Sequence, residues 1–85
     1  MPPTKPRMRE REALGRAIRV LRAERAVSQE EVEAAGGLGQ NAIGRIERGA
    51  SAPSFDSLVG VAEGLGVPLS VVVEVYERQL ARAPR

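Results

Sequence analysis

One stretch, residues 28–49, constrains the fold of this chain more than any other: SQEEVEAAGGLGQNAIGRIERG. Ser28 and Glu31 stand three residues apart. That is the spacing of a capping box, in which a hydroxyl and a carboxylate each accept a backbone N–H at a helix start. It predicts a helix over 29–35, with Val32 on its apolar side. Gly36 and Gly37 stop that helix, because glycine takes the left-handed C-terminal conformation without a Cβ penalty. Leu38 is the apolar residue of the turn, and Gly39 is the expected N-cap of a second helix over 40–48. Ile43 and Ile46 lie one turn apart on its inner side, while Gln40, Asn41, Ala42, Gly44 and Arg45 face outward or sideways. Gly49 closes it.

The remaining segments read as support for this pair. Residues 1–8 contain Pro2, Pro3 and Pro6, which exclude a regular helix, so they form an arm. Its Lys5 and Arg7 either reach a phosphate or a minor groove, or belong to a plain tail. A first helix over 9–25 places Leu14, Ala17, Ile18 and Leu21 at helical spacing toward a core, with Arg16 and Arg19 off that face. Pro53 ends the loop after residue 48. Ser54 then caps a fourth helix, which buries Leu58, Val61, Ala62 and Leu65 and stops at Gly66. Phe55 is assigned to the same core. A fifth helix starts near 68–70 and runs to Ala81, and 82–85 form a polar end. This last helix is apolar on two sides: 69, 72, 73, 76 and 80 make one face, while 71 and 75 make another. The core covers one side. A second copy of the chain, or a core that wraps both sides, covers the other.

Composition removes whole classes of function. The chain has no cysteine and no histidine, so disulfide frameworks, cysteine–metal sites and imidazole chemistry are all out of reach. Its aromatic residues are Phe55 and Tyr76, too few for a base-stacking platform. No run of 18 apolar residues is present, so no membrane span is expected, and MPPTKPRMRE lacks the apolar region of a secretory signal. A cytoplasmic, nucleoid-associated protein is the expectation. Charge is uneven: residues 1–25 hold eight basic and three acidic residues, and the other 60 hold five arginines and eight acids. There is no nucleophile–base set and no glycine-rich phosphate loop with its lysine. Glu30 and Glu31 are adjacent and diverge on a helix, so no enzyme is expected and no cofactor.

Two short helices around a glycine turn make a helix-turn-helix. The pieces SQEEV, GL at 37–38, IGRIERG and PSFDSLVGVAEGLGVPLSVV resemble, in order and spacing, the lambda repressor-like (Cro/Xre) helix-turn-helix family over about residues 10–75. The resemblance implies an all-α, compact five-helix lambda repressor-like domain over 9–81, with the helix-turn-helix at helices 2 and 3 and a dimerisation helix at the end. It implies binding to double-stranded DNA, with the second helix of the motif in the major groove. Gln40, Asn41, Ala42 and Arg45 match base-reading positions. Glutamine and asparagine can bridge adenine, arginine can bridge guanine, and alanine can touch a thymine methyl. Ser28, Gln29, Arg48 and Ser51 match phosphate-contacting positions.

The resemblance also pairs Arg22 with Glu47 as a structural ion pair between helices 1 and 3. It places a homodimer interface on the fifth helix, at Val71, Val75, Tyr76 and Leu80, so that two recognition helices read a partly palindromic operator. Two residues depart from the family. Glu33 stands where a small residue packs, so either the helices shift or its side chain swings to solvent. Gly44 is a mid-helix glycine, costing about 0.5–1 kcal/mol against alanine. The functional expectation is a sequence-specific transcriptional regulator without metal or cofactor. The alternative is a protein-interaction module such as an antitoxin that masks a partner. A third reading is the DNA-binding half of a longer regulator.

Overall fold

The computed structural model describes residues 7–84; residues 1–6 of the expected 1–8 arm, Lys5 included, and Arg85 lie outside the described residues. Five helices follow one another: α1 (Met8–Arg25), α2 (Gln29–Gly36), α3 (Ala42–Glu47), α4 (Phe55–Leu65) and α5 (Leu69–Arg82). Their ends follow local chemistry. Ser28 and Ser54 cap α2 and α4, each hydroxyl accepting the backbone N–H three residues on. Gly37 and Gly66 close the same two helices with φ near +70°. Met8 and Arg82 are helical, one residue beyond the expected start of the first helix and end of the last.

The core is aliphatic and draws on all five helices: Ala17, Ile18, Leu21, Val32, Ile43, Ile46, Val61, Ala62, Leu65, Val72 and Val75. It is built on close backbone approach. A Cβ on Gly36 would overlap the Gly60 carbonyl, and one on Gly64 would overlap the Val32 carbonyl. α2 and α4 therefore touch main chain to main chain. A Cβ on Gly15 would likewise run into the Glu47 carbonyl, so α1 lies directly on the end of α3. α5 leaves α4 at a bend of 100° and packs along α1, where the Arg9 guanidinium reaches the Leu80 carbonyl at 3.2 Å.

Two expectations about the core are corrected. Phe55 is 70% exposed. It is the first helical residue after its cap, and the buried stripe of α4 begins a turn later, at Leu58 and Val61. On α5 the buried residues are Val72 and Val75, because α1 and α4 cover that edge, while Val73 is 41% exposed. The split into a 69/72/73/76/80 face and a 71/75 face does not hold.

Candidate nucleic-acid interface

α2 starts as its capping box requires. The Glu31 N–H donates to Ser28 Oγ at 3.0 Å, and the Ser28 N–H donates to Glu31 Oε1 at 2.9 Å. These bonds from Ser28 hold the Glu31 carboxyl below its ordinary pKa. After Gly37 the chain turns tightly, with the Ala42 N–H donating to the Gly39 carbonyl at 3.2 Å.

α3 is shorter than the nine residues expected: it has six, and Asn41, not Gly39, is its N-cap. Asn41 sits in the left-handed region at φ 65°. Asparagine accepts that conformation more readily than most residues, because its short amide can bond locally. Gln40 and Asn41 thus present themselves from the turn, both exposed, rather than from a first helical turn.

The Asn41 side chain makes no capping bond. Glu33, on α2, supplies one instead. Its carboxylate is buried, and Oε2 accepts the Ile43 N–H at 3.0 Å. Glu33 does not swing to solvent: it stays inside and becomes the N-terminal cap of a neighbouring helix. A carboxylate there satisfies a backbone donor that α3 leaves open, and it meets the positive end of the helix dipole.

The other end of α3 is held by Glu47, also buried. Arg22 Nε donates to Oε2 at 2.6 Å and Nη2 donates to Oε1 at 3.1 Å, a two-pronged match of guanidinium to carboxylate. This hydrogen bonding raises the Arg22 pKa above its ordinary value. Arg22 also donates to the Val27 carbonyl at 3.1 Å, which ties the α1–α2 connection to the same group. Gln29 Nε2 donates to Glu47 Oε1 at 2.9 Å, so one amide hydrogen of this expected phosphate contact is already engaged. Arg19 donates to the Glu47 backbone carbonyl at 2.5 Å. Its spacing of three from Arg22 put the two on neighbouring positions of one helix, a signal the sequence reading left unused.

Between these ends α3 shows solvent a polar row. Gln40, Asn41, Arg45 and Arg48 are exposed, while Ala42 and Ser51 are half-buried at its margin. Gly44 is covered, but by the protein: a Cβ there would lie 3.1 Å from Arg48 Nη1 and 3.5 Å from Gln29 Oε1. Arg48 folds back over α3 toward the start of α2. The expected dimer residues are not one patch. Val75 is buried at the floor of a groove that it lines with Val71, Val20, Arg78 and Arg82. Tyr76 lines a separate apolar groove of about 300 Å³ with Leu14, Pro53, Leu58, Val72 and Val73. Leu80 is half-buried where Arg9 reaches its carbonyl. Among the described residues no cluster of three or more His, Cys, Asp or Glu is placed to hold a metal ion.

A helix-turn-helix family model matches residues 18–72, more than half of the chain. The chain is 35% identical over 63 residues to the cryptic phage CTXphi transcriptional repressor RstR of Vibrio cholerae; the match covers 74% of this chain and 57% of that protein. It is 39% identical over 57 residues to the uncharacterized HTH-type transcriptional regulator y4dJ of Sinorhizobium fredii, covering 67% and 74%. Among solved structures it resembles the clp gene regulator ClgR of Corynebacterium glutamicum at 30% identity, with a TM-score of 0.77 over 85% of this chain and 77% of that one. With the capping box, the glycine turn and the short third helix all in place, the chain belongs to the Cro/Xre-type helix-turn-helix family.

Proposed function

We propose that this protein is a sequence-specific regulator that binds double-stranded DNA and acts as a homodimer on a partly palindromic operator. The observation that carries the reading is the clamped α3. Glu33 and Glu47 hold its two ends, and its exposed row offers Gln40, Asn41 and Arg45, the residue types that bridge adenine and guanine in the major groove. Arg48 faces the same side, with Ser28, Gln29 and Ser51 at the flanks. In this reading they contact phosphates and set register, while the base-facing groups discriminate. The names of the related proteins, a transcriptional repressor and two regulators, support the same class. The exposed Phe55 and Val73 and the apolar groove beside Tyr76 support self-association on the α4–α5 side. In this reading Val71, Tyr76 and Leu80 line the interface, with Val75 buried beneath Val71. The protein would act in the cytoplasm, at the nucleoid, without a cofactor.

Selection from a randomised duplex pool tests this. Enrichment of an inverted repeat, lost in Arg45→Ala and Gln40→Ala, is the expected result. Weak, unselective binding that modest salt abolishes would leave only phosphate attraction and overturn it.

A further inference from the structure

The helix ends that face α3's polar row carry the chain's own negative groups. Glu31 closes the start of α2 and Glu33 closes the start of α3. Ser28 and Gln29 can donate hydrogen bonds there, but they bring no positive charge. A duplex backbone laid beside α3 must find its cations elsewhere.

The structure places three of them around one cleft. Arg16 and Arg19 of α1 and Arg48 beyond α3 line it, together with Glu12 and Glu47. Glu47 is already neutralised by Arg22. Among the described residues the ion pairs within 4 Å are those of Arg19 and Arg22 with Glu47, so Arg16 and Arg48 are unmatched by any acid at that range. Arg19 is half-exposed and anchored through its bond to the Glu47 carbonyl, so its guanidinium is held in place at the end of α3. Arg48 joins the cleft to the polar row of α3, because it lines the cleft and its guanidinium lies over Gly44 beside Gln29.

We infer that this cleft is a phosphate site for duplex DNA: Arg16 and Arg19 of α1, with Arg48, hold the sugar–phosphate backbone flanking the bases that α3 reads. The inference rests on the DNA-binding reading above. It adds to it the first helix as a contact surface and two residues that the motif does not assign.

Phosphate contacts strengthen binding to every sequence alike, and each contributes about 0.9 to the slope of log affinity against log salt. Binding of the full chain to its selected duplex and to a scrambled duplex is measured across a salt series. The variants are Arg16→Gln, Arg16→Lys, Arg16→Gln with Arg19→Gln, and Arg82→Gln at the end of α5, outside the cleft. Arg16→Gln is expected to weaken both duplexes equally, by about three- to tenfold, and to lower the slope by about one. Arg16→Lys restores both, because the charge remains, and the double variant loses a further unit. Thermal melting of each variant shows that the fold is intact. The inference is overturned if Arg16→Gln and the double variant keep the wild-type slope, or if Arg82→Gln lowers it as much. If the wild-type chain binds no duplex at all, the DNA-binding reading falls and the cleft falls with it.

Discussion

α2 is fastened to its two neighbours in opposite ways. Toward α4 it comes main chain against main chain at Gly36, Gly60 and Gly64, with Val32 the side chain packed there. Toward α3 it uses charge, through Glu33 on the Ile43 N–H and Gln29 on Glu47. A glycine contact cannot take added volume and is indifferent to charge. A buried carboxylate can change size a little but fails when its charge or its partner is removed. α3 is held by the adjustable kind of joint, and α4 by the rigid kind.

The largest test falls on the rigid joint. Gly64→Val drives a Cβ into the Val32 carbonyl and is expected to cost about 3 kcal/mol or more in chemical denaturation. A loss under about 1 kcal/mol would show that α4 can slide, and the contrast would collapse. Next comes Glu47→Ala, which strands Arg22; its side chain is only 22% exposed, so about 2–3 kcal/mol is expected. Adding Arg22→Leu should recover much of that loss, and a double-mutant cycle measures how much. Glu33→Ala leaves the Ile43 N–H without its acceptor and should cost about 1–2 kcal/mol, with faster amide exchange at Ile43. Glu33→Gln keeps an acceptor and should lose less; equal losses would mean that the charge, not the hydrogen bond, holds α3.

Smaller effects sharpen the same picture. Gly44→Ala should gain up to about 0.5–1 kcal/mol of helix propensity, since the atom a Cβ meets is the movable end of Arg48. A destabilised variant would instead show that Arg48 is fixed. The smallest effect belongs to Glu31, whose folded pKa is lowered by its bonds to Ser28. Its contribution is present above the ordinary carboxylate value and lost as pH falls through the lowered folded one. Melting temperatures from pH 6 to pH 3 should therefore fall less steeply in Glu31→Gln than in the wild type, and parallel curves would count against the capping box as a pH-linked contact.

What could be read from the sequence was local chemistry. Ser28, Glu31, Ser54, Gly37 and Gly66 announce their roles because caps act over three or four residues. Arg22 with Glu47 came from the family's motif, and their bonds are present. Periodicity identified five helices but misjudged which edges they bury. Whether Phe55 or Val75 is covered depends on where α1 and α5 lie relative to α4, and no spacing within one helix encodes that. Glu33 was legible only as an anomaly. Its partner is a backbone N–H ten residues on, and nothing about Ile43 as a residue type advertises that donor. The short α3 escaped for a related reason: Asn41 can continue a helix or turn left-handed, and the packing of Leu38 and Glu33 settles which.

The clasp between Arg9 and the Leu80 carbonyl joins residues 71 apart in the chain. α1 packs chiefly on α5, the most distant of the five helices in sequence. During synthesis the part of α1 that α5 covers has no partner until the chain has been made past Arg82. Contacts so distant in sequence are the slowest to close. The clamp on α3 draws only on α1 and α2, so the joint that waits longest for its partner is the one between α1 and α5.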